Sequence, residues 1–197
     1  MNKRYLLNLC FLGAMLGLTG CGQDKPAFKG VDITGADYAQ GWELTDQNGQ
    51  VRTLKDFSGK AVVVFFGFTQ CPDVCPTALQ EMAEAKKLLG ADGDKLQSVF
   101  ITLDPERDTP ELLKAYMANF GADFVALRPT LEQLPKVAKD FKIYYKKVDG
   151  KTPTSYTMDH SAGSFTFDPK GRIRLYNRHA SGAATLAEDV KILLKGL

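Results

Sequence analysis

The sequence predicts one α/β domain built on a central mixed β-sheet with flanking helices. Three observations carry this. Two unbroken apolar runs, "AVVVFFGF" at 61–68 and "LQSVFITLD" at 96–104, read as strands buried on both faces. Each leads into a segment with helical spacing, and strands alternating with helices make layered α/β domains. The last strand pair, in "SFTFDPKGRIRLYN" (164–177), reads as a hairpin, which makes the sheet mixed.

In chain order, "WELTDQNGQVRTL" alternates apolar and polar residues around Asn48-Gly49, a strong signal for an N-terminal hairpin. The strand at 61–68 runs into a loop with Cys71 and Cys75. "PTALQEMAEAKKLLG" follows, with Leu79, Met82, Ala83 and Leu89 at helical spacing, Pro76 suited to the first turn and Gly90 to the stop. After the strand at 96–104, "TPELLKAYMANFG" (109–121) is a helix capped by Thr109, with Pro110 at its first position. "TLEQLPKVAKDF" reads as a helix that Pro135 interrupts or delays, and "IYYKKV" (143–148) as a strand. The hairpin at 164–177 turns at Pro169-Lys170-Gly171, and "AATLAEDVKILLKGL" closes as an amphipathic helix.

The N-terminus has a different composition. Lys3 and Arg4 precede an apolar run from Tyr5 to Leu18, too short to span a bilayer comfortably, and small residues follow. Residues 1–20 therefore read as a secretory signal peptide. Leu18-Thr19-Gly20-Cys21 resembles a bacterial lipobox, in which the cysteine is lipidated and becomes the first mature residue. An uncleaved anchor helix would give the same tethered topology. Residues 21–38, polar and Gly/Pro-containing, are expected to be a lipid-anchored flexible tether, and 39–197 the folded domain. That leaves about 160 residues, a normal size for one core. The expected location is the bacterial cell envelope, with the domain on the periplasmic side.

The formal charge of +2 falls to zero once Lys3 and Arg4 leave with the signal. Such a balance offers no case for nucleic-acid binding or a polybasic membrane patch. Of four cysteines, Cys10 leaves with the signal and Cys21 carries lipid, so Cys71 and Cys75 remain as thiols. One close pair outside the cytoplasm points to redox or metal work rather than a disulfide scaffold.

A strand that runs through a cysteine loop into a helix favours thiolate, because the helix N-terminus carries partial positive charge. With Pro76 as the first helical residue, Cys75 would sit at the cap and Cys71 in the loop before it. Three intervening residues, against the two of thioredoxin-like oxidoreductases, let the sulfurs stand apart as two ligands of one metal do, while a disulfide stays possible. His160, just before the strand of "SFTF", would face the sulfurs; His179, beyond the last strand, reads as a surface residue. Two thiolates and an imidazole suit copper, especially Cu(I), and also Zn(II), which normally wants a fourth ligand; an iron–sulfur cluster would need more sulfur. Asp73 and Asp159 are candidates to orient a ligand, or are simply solvated loop charges.

"GFTQCPDVCPTALQEM", "ITLDPERDTPELLKAYMANF" and "YTMDHSAGSFTFDPKG" together resemble the Sco/SenC family of copper-binding, thioredoxin-fold proteins over roughly residues 40–195. The resemblance implies a thioredoxin-like fold, with Cys71, Cys75 and His160 as ligands of one copper ion, Cu(I) and also Cu(II). It implies a role in assembling the CuA site of cytochrome c oxidase, with subunit II or another copper-accepting protein as partner. An upstream copper chaperone or thiol reductant would be a further partner. Gln70 departs from the pattern, since many members have histidine there; that position is not counted among the ligands. The acidic residues of "DPERDTPE" (104–111) would form a partner-docking surface, or more simply a strand-ending turn with Thr109 capping the next helix.

The leading expectation is thus a copper metallochaperone, a binding protein rather than an enzyme, and a monomer. The alternative is a thiol–disulfide oxidoreductase using Cys71 and Cys75 to reduce an apo oxidase subunit or another periplasmic target; it would not need His160. A peroxidase in which Cys71 attacks peroxide is disfavoured, since the second cysteine and the histidine would be surplus.

Overall fold

The computed structural model describes residues 27–152 and 155–196, so the signal peptide and Cys21 lie outside the described residues. The strands are β1 (Val31–Asp32), β2 (Glu43–Asp46), β3 (Val51–Thr53), β4 (Ala61–Gly67), β5 (Leu96–Thr102), β6 (Val125–Arg128), β7 (Tyr145–Asp149), β8 (Tyr156–His160), β9 (Ser164–Phe167) and β10 (Ile173–Asn177). The helices are α1 (Val74–Leu88), α2 (Pro110–Ala118), α3 (Gln133–Asp140) and α4 (Ala183–Leu194).

Every residue of β4 and β5 is buried, as their apolar runs require, and the two pair in parallel from Ala61↔Leu96 to Gly67↔Thr102. Side chains of a strand alternate between faces. Ala61, Val63 and Phe65 accordingly join one core with α1, α2 and α4, while Val62, Val64 and Phe66 join a second with α3 and the N-terminal segment. β6 continues the parallel block on β5, and β9 pairs antiparallel to β4 on its other side. The full order is β1-β10-β9-β4-β5-β6-β2-β3, the mixed sheet with flanking helices that the sequence predicts. The Asn48-Gly49 hairpin is there, with Gly49 at φ +79°, a left-handed conformation that glycine adopts without strain.

Three boundaries differ from the sequence reading. Residues 29–38 are not free tether. The Lys29 and Gly30 amides each donate to the buried Asp189 carboxylate of α4 at 2.7 Å, β1 pairs with β10, and Ile33, Ala36 and Tyr38 pack on the core. α1 starts two residues before Pro76, with Asp73 at the N-cap, so Cys75 lies inside the first turn. A proline fits there because the first-turn amides have no intrahelical partner to lose. Last, His160 ends a strand, β8, which pairs with β7 as a separate two-stranded ribbon.

Candidate metal centre

The site forms where β4 ends. Gly67 closes the strand, Phe68 turns inward, and the Cys71 amide donates to the Phe68 carbonyl at 3.2 Å, which folds the loop back before α1 begins. The Cys75 amide points out of the first helical turn and donates to Cys71 Sγ at 3.3 Å. Cys75 itself is fully buried, and its sulfur sits where Gly67 has no side chain: a Cβ on Gly67 would lie 2.7 Å from it.

β8 brings His160 to the same spot, with Nε2 3.6 Å from Cys75 Sγ. The ring stands edge-on to Phe65 and Phe68, with centroids 6.2 and 5.9 Å away. Its Nδ1 lies 2.9 Å from the Ser161 carbonyl oxygen. A carbonyl only accepts, so Nδ1 carries the proton and Nε2 keeps a lone pair facing the sulfurs. One ligand atom from each of Cys71, Cys75 and His160 falls within 4.8 Å of the others, the one such group of three or more among the described residues.

The two thiols differ in kind. Cys71 is half-buried and its thiol is held well below the ordinary range, first by a hydrogen bond from the Cys75 side chain; burial opposes this, and the Cys75 and Asp73 amides add to it. The Cys75 thiol is pushed up, first by its bond to Cys71 and then by burial. The shared proton therefore rests on Cys75 and the negative charge on Cys71. A lowered thiol pKa keeps the nucleophile present as pH falls, so Cys71 in the reduced, metal-free protein is expected to alkylate with iodoacetamide at about pH 6, well under the ordinary pKa of about 8.5, while Cys75 stays unmodified. Peptide mass mapping checks this; labelling that vanishes below pH 8, or that falls on Cys75, would contradict the asymmetry.

The structure places the other candidates differently. Asp73 is exposed and contributes backbone only, its carbonyl accepting from Thr77. Asp159 is exposed, and the Ser161 carbonyl takes the orienting role expected of it. His179 is exposed, as expected. In the 104–111 segment, Asp104 and Asp108 are buried and point inward, and Thr109 accepts from the Leu112 amide at 3.3 Å as a helix cap, so these two acids form a turn rather than a docking surface. Asp108 instead accepts from the Thr69 amide at 3.1 Å and the Thr69 hydroxyl at 2.6 Å, pinning the start of the cysteine loop. Burial raises its carboxyl above the usual range despite the Thr102 and Thr69 hydrogen bonds. The sequence does not announce the close approach at Gly67, the orienting role of the Ser161 carbonyl or the inward turn of Asp108. A glycine ending a run of β-branched and aromatic residues was the available signal for Gly67.

Known proteins resemble the chain over most of its length. The family model described as SCO1/SenC matches residues 31–195. A SCO2-like protein of Rickettsia felis is 38% identical over 132 residues, which are 66% of this chain and 64% of that protein. The mitochondrial SCO2 homolog of Bos taurus is 32% identical over 152 residues, 76% of this chain and 57% of that one. The matched stretch is thus under two thirds of either relative's length. Among solved structures, Bradyrhizobium japonicum ScoI with copper bound superposes with a TM-score of 0.71 at 37% identity, covering 85% of this chain and 99% of that one. Yeast Sco1 with copper bound gives 0.71 at 28% identity, covering 87% and 91%. The fold is the thioredoxin-like one of these structures.

Proposed function

Because the chain belongs to the SCO1/SenC family, we propose that it is a copper-binding assembly protein for cytochrome c oxidase, carrying one copper ion as cargo on Cys71, Cys75 and His160. The observation that carries this reading is the convergence of two sulfurs and a lone-pair nitrogen within 4.8 Å. The donor set fits the ion, since thiolate and imidazole are soft ligands that suit Cu(I). A ligating histidine usually donates its other ring N–H to a carbonyl or carboxylate, and Ser161 supplies that partner here. Relatives at 37% and 28% identity have been solved with copper bound.

The residues divide the work. Cys71 already carries the thiolate charge, and Cys75 releases its proton when the ion enters, so loading is coupled to proton release. An oxidised pair has no thiolate to offer, so loading requires the reduced form. Phe65 and Phe68, both buried, wall the imidazole away from water. The partner in this reading is oxidase subunit II at its CuA site. Residues 1–20 are the signal peptide, and Cys21 anchors the domain on the periplasmic face. No helix among the described residues is long and apolar enough to cross a membrane.

A half-exposed thiolate beside a protonated second thiol also favours thiol–disulfide exchange, in which Cys71 attacks and Cys75 resolves. His160 separates the two readings. Anaerobic Cu(I) titration of the reduced full-length protein against a competing chelator is expected to show one tightly bound ion, weakened at least about tenfold in His160→Ala, the smallest cost of losing even a residue that only supports a ligand. An affinity indifferent to His160 would hand the site to electron exchange.

A further inference from the structure

The third ligand sits on a ribbon that makes no backbone pairing with the main sheet. Tyr156, Met158 and His160 share one face of β8 by strand alternation. Met158 is buried in the core that also holds Cys75, and Tyr156 packs against that core. Arg107, in the turn after β5, reaches it. Its Nη1 donates to the Tyr156 carbonyl at 2.9 Å and to Gln70 Oε1 at 3.0 Å, and its guanidinium carbon lies 3.5 Å from the Tyr156 ring centroid. Asp104 completes the unit, accepting from Arg107 Nε and, at 2.8 Å, from the Tyr156 hydroxyl. Arg128 braces the turn from β6, donating to the carbonyls of Pro105 at 2.7 Å and Asp108 at 3.0 Å.

Gln70 immediately precedes Cys71, and Tyr156 lies four residues before His160. We propose that Arg107 is a positioning residue for the metal centre: its planar fork ties the cysteine loop to the histidine strand and so sets the gap between sulfur and imidazole. A fork of this kind needs arginine, since lysine offers a point charge rather than a plane of donors. Arg107 also leaves Nη2 buried without a partner, a cost that an arginine serving only its own turn would shed by swinging outward. Lys147 of β7 adds a second cation 3.8 Å from the Tyr156 ring centroid and bridges to Glu106 at 3.2 Å, which strengthens the same attachment.

The proposal rests on the copper reading, and two measurements on the full-length protein keep the two apart. In the reduced, metal-free state, the His160 ring-proton signals feel the ring currents of Phe65 and Phe68. In Arg107→Ala they are expected to move toward those of the exposed His179, while the β4 and β5 amide signals stay in place. Arg107→Lys should move them in the same direction, and it covers the case in which alanine unfolds the turn. In Cu(I) competition, Arg107→Ala should weaken binding about tenfold, the scale for residues that support a ligand, and add nothing further in a His160→Ala background. Unmoved His160 signals, or an equal loss of affinity with and without His160, would overturn the proposal. If His160→Ala binds copper as well as the native protein does, the copper reading fails, and the metal-free spectra still decide whether Arg107 positions the imidazole.

Discussion

Gly67→Ala is expected to lower stability and copper affinity together. The new Cβ would lie 2.7 Å from Cys75 Sγ, 2.9 Å from Phe100 Cε2 and 3.0 Å from Phe65 Cε1. All three neighbours are completely buried, so none can swing into solvent. Overpacking of this kind costs about 1–3 kcal/mol, which lowers the melting temperature of a domain this size by roughly 5 °C. The sulfur is the atom that must recede, and it recedes from the position that now faces His160. Thermal unfolding and Cu(I) competition on the same preparation check both halves. If the variant melts and binds like the native protein, Cys75 does not rest against the end of β4.

The second large effect separates two jobs of Cys75. Cys75→Ala is expected to lose more than about a hundredfold in Cu(I) affinity, because removing a ligand should exceed the 10–100-fold cost of removing a residue that merely supports one. It also removes the chief stabiliser of the Cys71 thiolate. The Cys71 pKa should therefore rise, and its alkylation near pH 6 should slow sharply. Cys75→Ser lacks the soft ligand but keeps a hydroxyl donor, so copper binding should fall while alkylation at low pH persists. Rates measured across a pH series in both variants decide this. A Cys71 profile that is unchanged in Cys75→Ala would move the source of its low pKa to the helix amides.

The parts of the fold and site that were legible in the sequence are those written in contiguous residues. The buried strands β4 and β5, the Asn48-Gly49 hairpin, and the C-x-x-x-C-P and D-H-S signatures all lie within short windows where periodicity and residue type speak directly. The parts that were not legible depend on partners far apart in the chain. Nothing in "KGVDITGADY" announces that its first two amides will find Asp189 on the last helix, because a polar, glycine-containing stretch looks the same whether solvated or docked. "YTMDH" does alternate, with Tyr156, Met158 and His160 on one side, but five residues after a short polar turn read as easily as loop. The acids of "DPERD" looked like surface because carboxylates usually are; Asp104 and Asp108 are inside because Arg107, Tyr156, Thr69 and Thr102 satisfy them.

The docking of residues 29–38 also shortens the leash. With Cys21 as the proposed anchor, the chain is already held to the domain at Lys29, whose amide the α4 carboxylate grips. Eight residues, fully stretched, reach no more than about 30 Å, roughly half the reach of a tether running to residue 38. The domain would patrol a thin layer over the lipid, its encounters set by diffusion in the plane of the membrane. Oxidase subunits that display their copper site close to that plane would meet it at high local concentration, and carriers deeper in the periplasm would have to come to it.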